Sequence, residues 1–571
     1  MKTTSSILLL FVLFIAQSDA QNILRSEILG RPTDNSITVQ LQFADSAEVR
    51  IEYGTQTGVY SSQTAWTTVA DSTPINLQIT GLAPNTRYFY RVRHRLPGAT
   101  AANPRPEYNF TTARPAGEPF TFVIQADPHL DSQTDTAILN RCLQNQLEDN
   151  PDFMIDLGDI IMTDKLKNAA NVVTRDTVSQ RAAILRSYYE KVCHSVPLFI
   201  AIGNHESECG WYLNGTPNNL AIWGTEERKK NFINPAPDNF YSGDTATYPF
   251  VGARNSYYSF TWGDALFVVL DPYWNTTPKP DSLHGWYWTL GRAQYDWLKH
   301  TLENSPSTFK FIFCHQLVGG DPDGRGGIEF ADLYEWGGSN LDGTPGFSTN
   351  RPGWYKPIKD LLKENRVTAF FHGHDHFFAK QEKDCLIYQE CPQPGHFNFN
   401  NANQAAVYGY LQGQILPNAG HLRVSVAPTG IQVEYVRAYK ASDETPTRQN
   451  KDISATYFIG AVNCYDSLST GIPVLYNSDY TDHYGYPNPF SETTTICISL
   501  PENDNVTIIL SDVNGKTVRH LLNSAPTPKG RFELQWDGSN DNGERAAAGN
   551  YTYTILTEKG IALSGKLVLT R

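Results

Sequence analysis

Five short blocks in the middle of the chain carry side chains that bind metal ions. They are Asp127-Pro128-His129, Gly158-Asp159, Gly203-Asn204-His205-Glu206, His315 and Gly373-His374-Asp375-His376. Carboxylate, imidazole and amide ligands without thiolates suit Zn, Mn or Fe rather than Cu(I) or an iron–sulfur cluster. A carboxylate shared by two cations holds them about 3.5–4 Å apart, the spacing for in-line displacement at phosphorus. Such a pair lowers the pKa of bound water towards ~7 and neutralises phosphoryl oxygens. A protonated imidazole beside it can supply a proton to the leaving oxygen. A single Asp-x-His or Gly-Asp block is common by chance. The order of all five carries the signal.

Each block follows a short apolar run, at residues 120–125, 153–157, 197–202, 309–313 and 367–371, with a further run at 265–270. These read as strands, with helices between several of them, at 134–148 and 292–302. Strands alternating with helices predict a layered sheet with helices on its faces. Ligands in such sheets gather at the carboxyl ends of the strands, where the glycines let the backbone turn sharply. Residues 424–426 and 431–436 flank Pro428-Thr429-Gly430 and read as a closing hairpin. The flanking segments are β. In 22–113, residues 37–43 and 48–53 alternate with period two, and the turn Gly81 to Thr86 leads into a strand at 88–93. A linker rich in proline (Pro104, Pro106, Pro115, Pro119) follows. In 484–571, strands are expected at 506–510, 532–536 and 551–556. The acidic stretch 537–544 departs from an EF-hand loop, because its sixth position is Asn542 rather than Gly, and reads as a hairpin turn.

The ordered blocks resemble the calcineurin-like metallophosphoesterase superfamily. With a β-sandwich in front, they look most like its purple acid phosphatase branch. The resemblance implies two divalent or trivalent metal ions per chain (Fe, Zn or Mn). Asp127, His129, Asp159 and His376 would hold one. Asn204, His315 and His374 would hold the other, with Asp159 bridging. His205 would stand beside the metals without ligating them and act as the proton donor, with Glu206 either orienting its ring or packing. The implied activity is that of a secreted phosphatase, in which a metal-bound hydroxide attacks a small phosphate monoester. A phosphodiesterase or nucleotidase on the same site is the alternative. A cell-surface binding protein with a vestigial site is a third reading, opposed by the complete ligand set. One departure matters: the branch places a Tyr three residues after the Gly-Asp aspartate, and here Met162 stands there. A coloured ferric–tyrosinate centre is therefore not expected.

The flanks carry resemblances of their own. Leu82-Ala-Pro-Asn-Thr-Arg-Tyr88 resembles a fibronectin type III-like sandwich, in which the tyrosine packs at a corner. Tyr486-Pro-Asn-Pro-Phe490, the Val513-Asn-Gly515 turn and the final Gly565 to Arg571 resemble the C-terminal sorting domain of the type IX secretion system, whose machinery becomes an expected partner. Trp536-Asp537-Gly538 through Gly549 resembles a FlgD-type immunoglobulin-like module. The expected order is a signal peptide (1–20), a fibronectin type III-like sandwich (22–113), an α/β metallophosphoesterase sandwich layered with helices (120–460), a linker (461–483) and an immunoglobulin-like sorting sandwich (484–571).

Bulk properties fit this multidomain scheme. The 571 residues exceed a single core. A net charge of −13 argues against a nucleic-acid or anionic-membrane binder. Lys2, the apolar run 7–16 and Ser18-Asp19-Ala20 form a secretory leader. No later stretch approaches eighteen apolar residues, so no transmembrane segment is expected in the mature protein. There are eight cysteines. Cys385 and Cys391 could close a short disulfide loop, and Cys314 reads as a buried thiol. Arg325, in a glycine-rich loop, reads as a solvated arginine or a substrate contact, and Trp274, Trp286 and Trp288 as core or as the lining of a cleft.

Overall fold

The computed structural model describes residues 23–321, 323–461, 483–500, 503–513, 516–557 and 562–570. The leader and nearly all of the expected linker lie outside them. Two sheets packed face to face form the centre of the molecule. One has six strands in the order Leu198–Ile200, Phe153–Asp156, Phe120–Gln125, Gly420–Ala427, Gly430–Arg437, Ile453–Gly460. Its first three strands run parallel. The second sheet has eight strands, with Ala265–Val269, Phe309–Phe313, Ala369–His372 and Leu386–Glu390 parallel at its centre.

Alternation along these strands explains the layering. In Phe309–Phe313 the rings of Phe309, Phe311 and Phe313 enter the core between the sheets, beside Phe122, Phe153 and Phe267. Ile312 points the other way, into a second core with Leu298 and Leu302 of the helix Arg292–Glu303. Phe120, Phe122 and Ile124 likewise face the sheet core, while Val123 packs under the helices Thr136–Glu148 and Arg175–Cys193. Strands buried on both faces read as continuous apolar runs, which is why the sequence reveals them. Two sheets with helices outside replace the single layered sheet that strand–helix alternation alone suggests. The hairpin is present, with Ala427 opposite Gly430.

Residues 23–111 form an antiparallel sandwich of two sheets around one core. The Tyr88 hydroxyl accepts a hydrogen bond from the Ala83 amide at 2.9 Å. This sandwich is docked on the central segment: buried Arg186 donates to the Ser26 carbonyl at 2.8 Å, and Tyr90 to the His194 carbonyl at 2.8 Å. The C-terminal residues form a three-stranded and a four-stranded sheet around Trp536. The stretch 537–544 is a tight turn, with Asn540 donating to the Glu544 carbonyl. Cys314 is a buried thiol as expected, but Cys391 is also a free buried thiol, so no Cys385–Cys391 loop exists. Strand Leu386–Glu390 carries Cys391 into the sheet core, away from the turn at Cys385, which is itself disulfide-bonded. Among the described residues no helix is long and apolar enough to cross a membrane.

Candidate metal centre

The strands Phe120–Gln125, Phe153–Asp156, Leu198–Ile200, Phe309–Phe313 and Ala369–His372 all end at one edge, and the five blocks follow them. Two glycines make the convergence possible. A Cβ on Gly158 would strike the backbone of Gly203, and one on Gly203 would strike Asp159. Beyond the glycines the chain turns in an uncommon way. Asp127, His129, Asp159, His374 and His376 have φ of 58°, 48°, 57°, 80° and 63°. Each such left-handed residue costs on the order of 1–3 kcal/mol and persists only where its surroundings over-determine it. Here they do. Asp127 Oδ2 accepts from the His374 amide at 2.9 Å, and Asp159 Oδ1 from the His205 amide at 2.7 Å. Glu390 Oε1 accepts from the amides of Asp375 and His376 at 3.1 and 3.2 Å. Arg181 donates to the carbonyls of His129 and Leu130.

The free ends of these side chains then meet in two groups, Asp127–His129–His376 and Asp159–His315–His374. Asp127 Oδ1 lies 3.4 Å from both His129 Nε2 and His376 Nε2. Asp159 Oδ2 lies 3.4 Å from His129 Nε2 and 3.2 Å from His315 Nε2, so it faces both groups. Hydrogen bonds behind the rings fix the tautomers. His315 Nδ1 donates to the Leu157 carbonyl at 2.9 Å, and His374 Nε2 to the Asp323 carbonyl at 3.0 Å. The remaining nitrogens, His315 Nε2 and His374 Nδ1, lie within hydrogen-bond distance of one another at 3.2 Å. Asp127 Oδ1, Asp159 Oδ2, Asn204 Oδ1 and both His129 ring nitrogens are buried without a hydrogen-bond partner. Buried acceptors left unpaired cost about 1–3 kcal/mol each. Carboxylate oxygens and ring nitrogens that converge without hydrogen-bond partners are a set that cations satisfy.

The titration of these groups shows two tendencies: burial would lower the His315 imidazole, but Asp159 and Asp127 outweigh it and raise it to about 9. Burial and the Arg325 guanidinium hold the His374 imidazole well below its usual range, hence neutral, the form that ligates. Burial would raise the Asp127 carboxyl, but the His376 and His315 imidazoles outweigh it and hold Asp127 well below the carboxylate range.

Residues 120–378 match the family model of the calcineurin-like phosphoesterases. They form a calcineurin-like phosphoesterase domain. Residues 490–560 match the FlgD Ig-like domain. Among solved structures the chain is similar to PhoD, with a TM-score of 0.55 and 14% identity over 78% of this chain and 91% of that one. It is also similar to a purple acid phosphatase from yellow lupin (Lupinus luteus) seeds, with a TM-score of 0.50 and 15% identity over 76% and 74% of the two chains. These likenesses are of fold. No curated protein matches the chain in sequence.

Within the phosphoesterase domain the remaining polar residues differ from expectation in three places. Glu206 does not touch the His205 ring. Its carboxylate turns inward and accepts from the amides of Gly203, Asp159 and Ile161 at 2.6, 2.9 and 2.9 Å. Residues 204–206 form one 3₁₀ turn, in which successive side chains point about 120° apart, so His205 and Glu206 diverge. Asp164 takes the role instead: its Oδ1 lies 2.6 Å from His205 Nδ1. His205 Nε2 lies 3.9 Å from Asp159 Oδ2, beside the ligand cluster, and the side chain remains 15% exposed. Arg325 is not a freely solvated arginine, since it is bonded to the His374 carbonyl and to Asp375. Trp274 and Trp288 are buried, as is Met162. Asp164, Glu390 and Arg181 were not legible as site residues. Only the proximity of Asp164 to the Gly-Asp block hinted at its place.

Proposed function

We propose that the chain is a two-metal phosphoesterase that hydrolyses small phosphate monoesters. The observation that carries this reading is the pair of converging acceptor groups with Asp159 facing both. Asp127, His129, Asp159 and His376 would hold one cation, and Asn204, His315, His374 and Asp159 the other. Bound there, the cations supply activation of the attacking water and neutralisation of the phosphoryl charge. The chain's own residues do the rest. His205 sits beside the cluster with Nε2 towards it and Nδ1 on Asp164, so the carboxylate fixes the ring. That ring hands a proton from Nε2 to the leaving alcohol oxygen. Met162, buried where the purple enzymes carry a tyrosine, offers no phenolate, which supports a colourless centre holding Zn, Mn or Fe without a tyrosinate.

The test is metal analysis of the purified protein together with turnover of p-nitrophenyl phosphate and bis(p-nitrophenyl) phosphate. Two metals and preference for the monoester are expected. Faster turnover of the diester would assign a phosphodiesterase instead, and absence of turnover with every metal would end the enzymatic reading.

Export is part of the same proposal. The leader-like residues 1–20 and the resemblance of 484–571 to a type IX sorting domain support a cell-surface or secreted enzyme. Deleting 484–571 should retain the protein inside the producing cell with its specific activity intact. Secretion of the deletion form at the normal level would remove the sorting role.

A further inference from the structure

We infer that Arg325 reads a second acidic group on the substrate, a phosphate or carboxylate next to the scissile phosphoryl; this rests on the two-metal reading above. The arginine lies in the loop Asp323 to Gly326, which the domain ties to the site at several points. Asp323 supplies the carbonyl that fixes His374. The Gly326 amide donates to Asp375 Oδ2 at 2.9 Å, and the Tyr410 hydroxyl to the same oxygen at 2.8 Å. Asp375 Oδ1 then accepts from Arg325 Nη1 at 3.0 Å, and the His374 carbonyl accepts from the same nitrogen at 2.8 Å. The guanidinium lies 4.3 Å over the Tyr408 ring. Asp375, the residue between the two histidines of the Gly-His-Asp-His block, is therefore a positioning residue for the arginine.

This arrangement uses one edge of the guanidinium and leaves the better one open. Nε and Nη2 make no hydrogen bond among the described residues, and the side chain is 24% exposed. That edge is the planar fork that matches two oxygens of a carboxylate or phosphate. A guanidinium held by an ion pair and a ring face loses little further freedom on binding, whereas a loose arginine would lose up to about 2 kcal/mol of rotamer entropy. Its place decides what it meets. Arg325 pairs with Asp375, the residue after His374, and among the described residues makes no ion pair with Asp127 or Asp159. The oxygen pair it can take belongs to the neighbouring substituent of the ester.

The experiment uses the full-length, metal-loaded protein and two matched pairs of probes. Ethylene glycol bisphosphate against ethylene glycol monophosphate tests a second phosphate, with an alkoxide leaving group in both. O-phosphoserine against phosphoethanolamine tests a carboxylate. The quantity read is the ratio of kcat/KM within each pair. The wild type should favour the more acidic member of at least one pair, and that pair names the source of the second charge. Arg325→Gln should lower that ratio about 10- to 100-fold, the worth of a charge-assisted bidentate contact, and Arg325→Lys should restore part of it. Tyr408→Leu removes the ring under the guanidinium while sparing its ion pair, and should lower the ratio about 2- to 5-fold. This milder variant keeps the test open if Arg325→Gln fails to fold. The inference is overturned if Arg325→Gln slows both members of each pair equally, which would mark a loop brace or a contact to the scissile phosphoryl. It is overturned too if the wild type shows no preference in either pair. If the metal-loaded wild type turns over none of the four esters, the two-metal reading falls with it.

Discussion

Two clusters of buried charge lie in the central domain, and they are built on opposite rules. In one, Glu208 accepts from Arg228 at 2.5 and 3.0 Å and from Arg254 at 2.8 Å, while Arg254 reaches Asp271 at 2.9 Å. Every carboxylate faces a guanidinium, and Arg254 also lies 3.8 Å over the Trp274 ring. In the other, carboxylates and imidazole nitrogens converge, and among the described residues no lysine or arginine pairs with Asp127 or Asp159. The first cluster is complete as protein. The second becomes complete only with a positive charge from outside. Burial does not separate the two, since Glu208 and Asp159 are both fully buried. The signs of the neighbours separate them. A buried charged cluster is a candidate site when its own members cannot satisfy it.

The largest effect that could break this contrast is at Asp159. Asp159→Ala should lose both metals and lower turnover at least about 10³-fold, because the one group that faces both positions is gone. A variant that keeps two metals and full activity would show that the facing acceptors are not a metal site. Next comes His205, beside the incomplete cluster but outside its ligand set. His205→Ala should slow an alkyl phosphate by ~10²–10⁴-fold and p-nitrophenyl phosphate much less, with metal retained. Equal slowing of both substrates would give the ring a packing role only.

The complete cluster should answer to stability instead. Arg254→Met leaves Asp271 uncompensated and should lower the unfolding free energy by about 3–5 kcal/mol, measured in urea, with the metal content of the folded fraction unchanged. Its pH response sharpens the point. Burial alone would raise the Glu208 carboxyl, but Arg228 and Arg254 outweigh it and set its pKa at about 2. A depressed carboxylate stabilises the fold above its ordinary pKa, and that contribution fades as pH falls from about 4.5 towards 2. Arg254→Met should therefore move the acid-unfolding midpoint upward in pH. An unmoved midpoint would mean that the pair is not what holds Glu208 charged.

The incomplete cluster is the more legible of the two in the sequence. Its ligands come from short blocks directly after apolar runs, so strand ends and ligands are read together, and the strands Phe120–Gln125 and Phe309–Phe313 have the boundaries their apolar runs indicate. The hairpin around Pro428 was equally plain. What stayed hidden depends on long-range packing. Glu208, Arg254 and Asp271 come from separate segments, and nothing in their spacing links them. The helix Arg175–Cys193 was missed because its buried face includes Arg186 and its apolar residues are interrupted by charges. Glu390 lies on a strand whose own run, Leu386–Glu390, mixes apolar and polar residues, all of them buried. Whether Glu206 orients the His205 ring or packs is not visible in the spacing, because one 3₁₀ turn decides it in favour of packing.

That packed carboxylate has a consequence of its own. By accepting from Gly203, Asp159 and Ile161 at once, Glu206 rivets two loops that follow different strands. The spacing between Asp159 and Asn204 is thus settled while the chain folds, before any ion arrives. An ion entering such a frame has no loops to draw together, so its affinity reflects desolvation and charge rather than assembly. Glu206→Gln would keep the shape of the rivet and one accepting oxygen, but put an amide donor against one or two of the three backbone donors. The frame would loosen while every ligand remained in place, and ions would bind more weakly to an otherwise intact set of side chains.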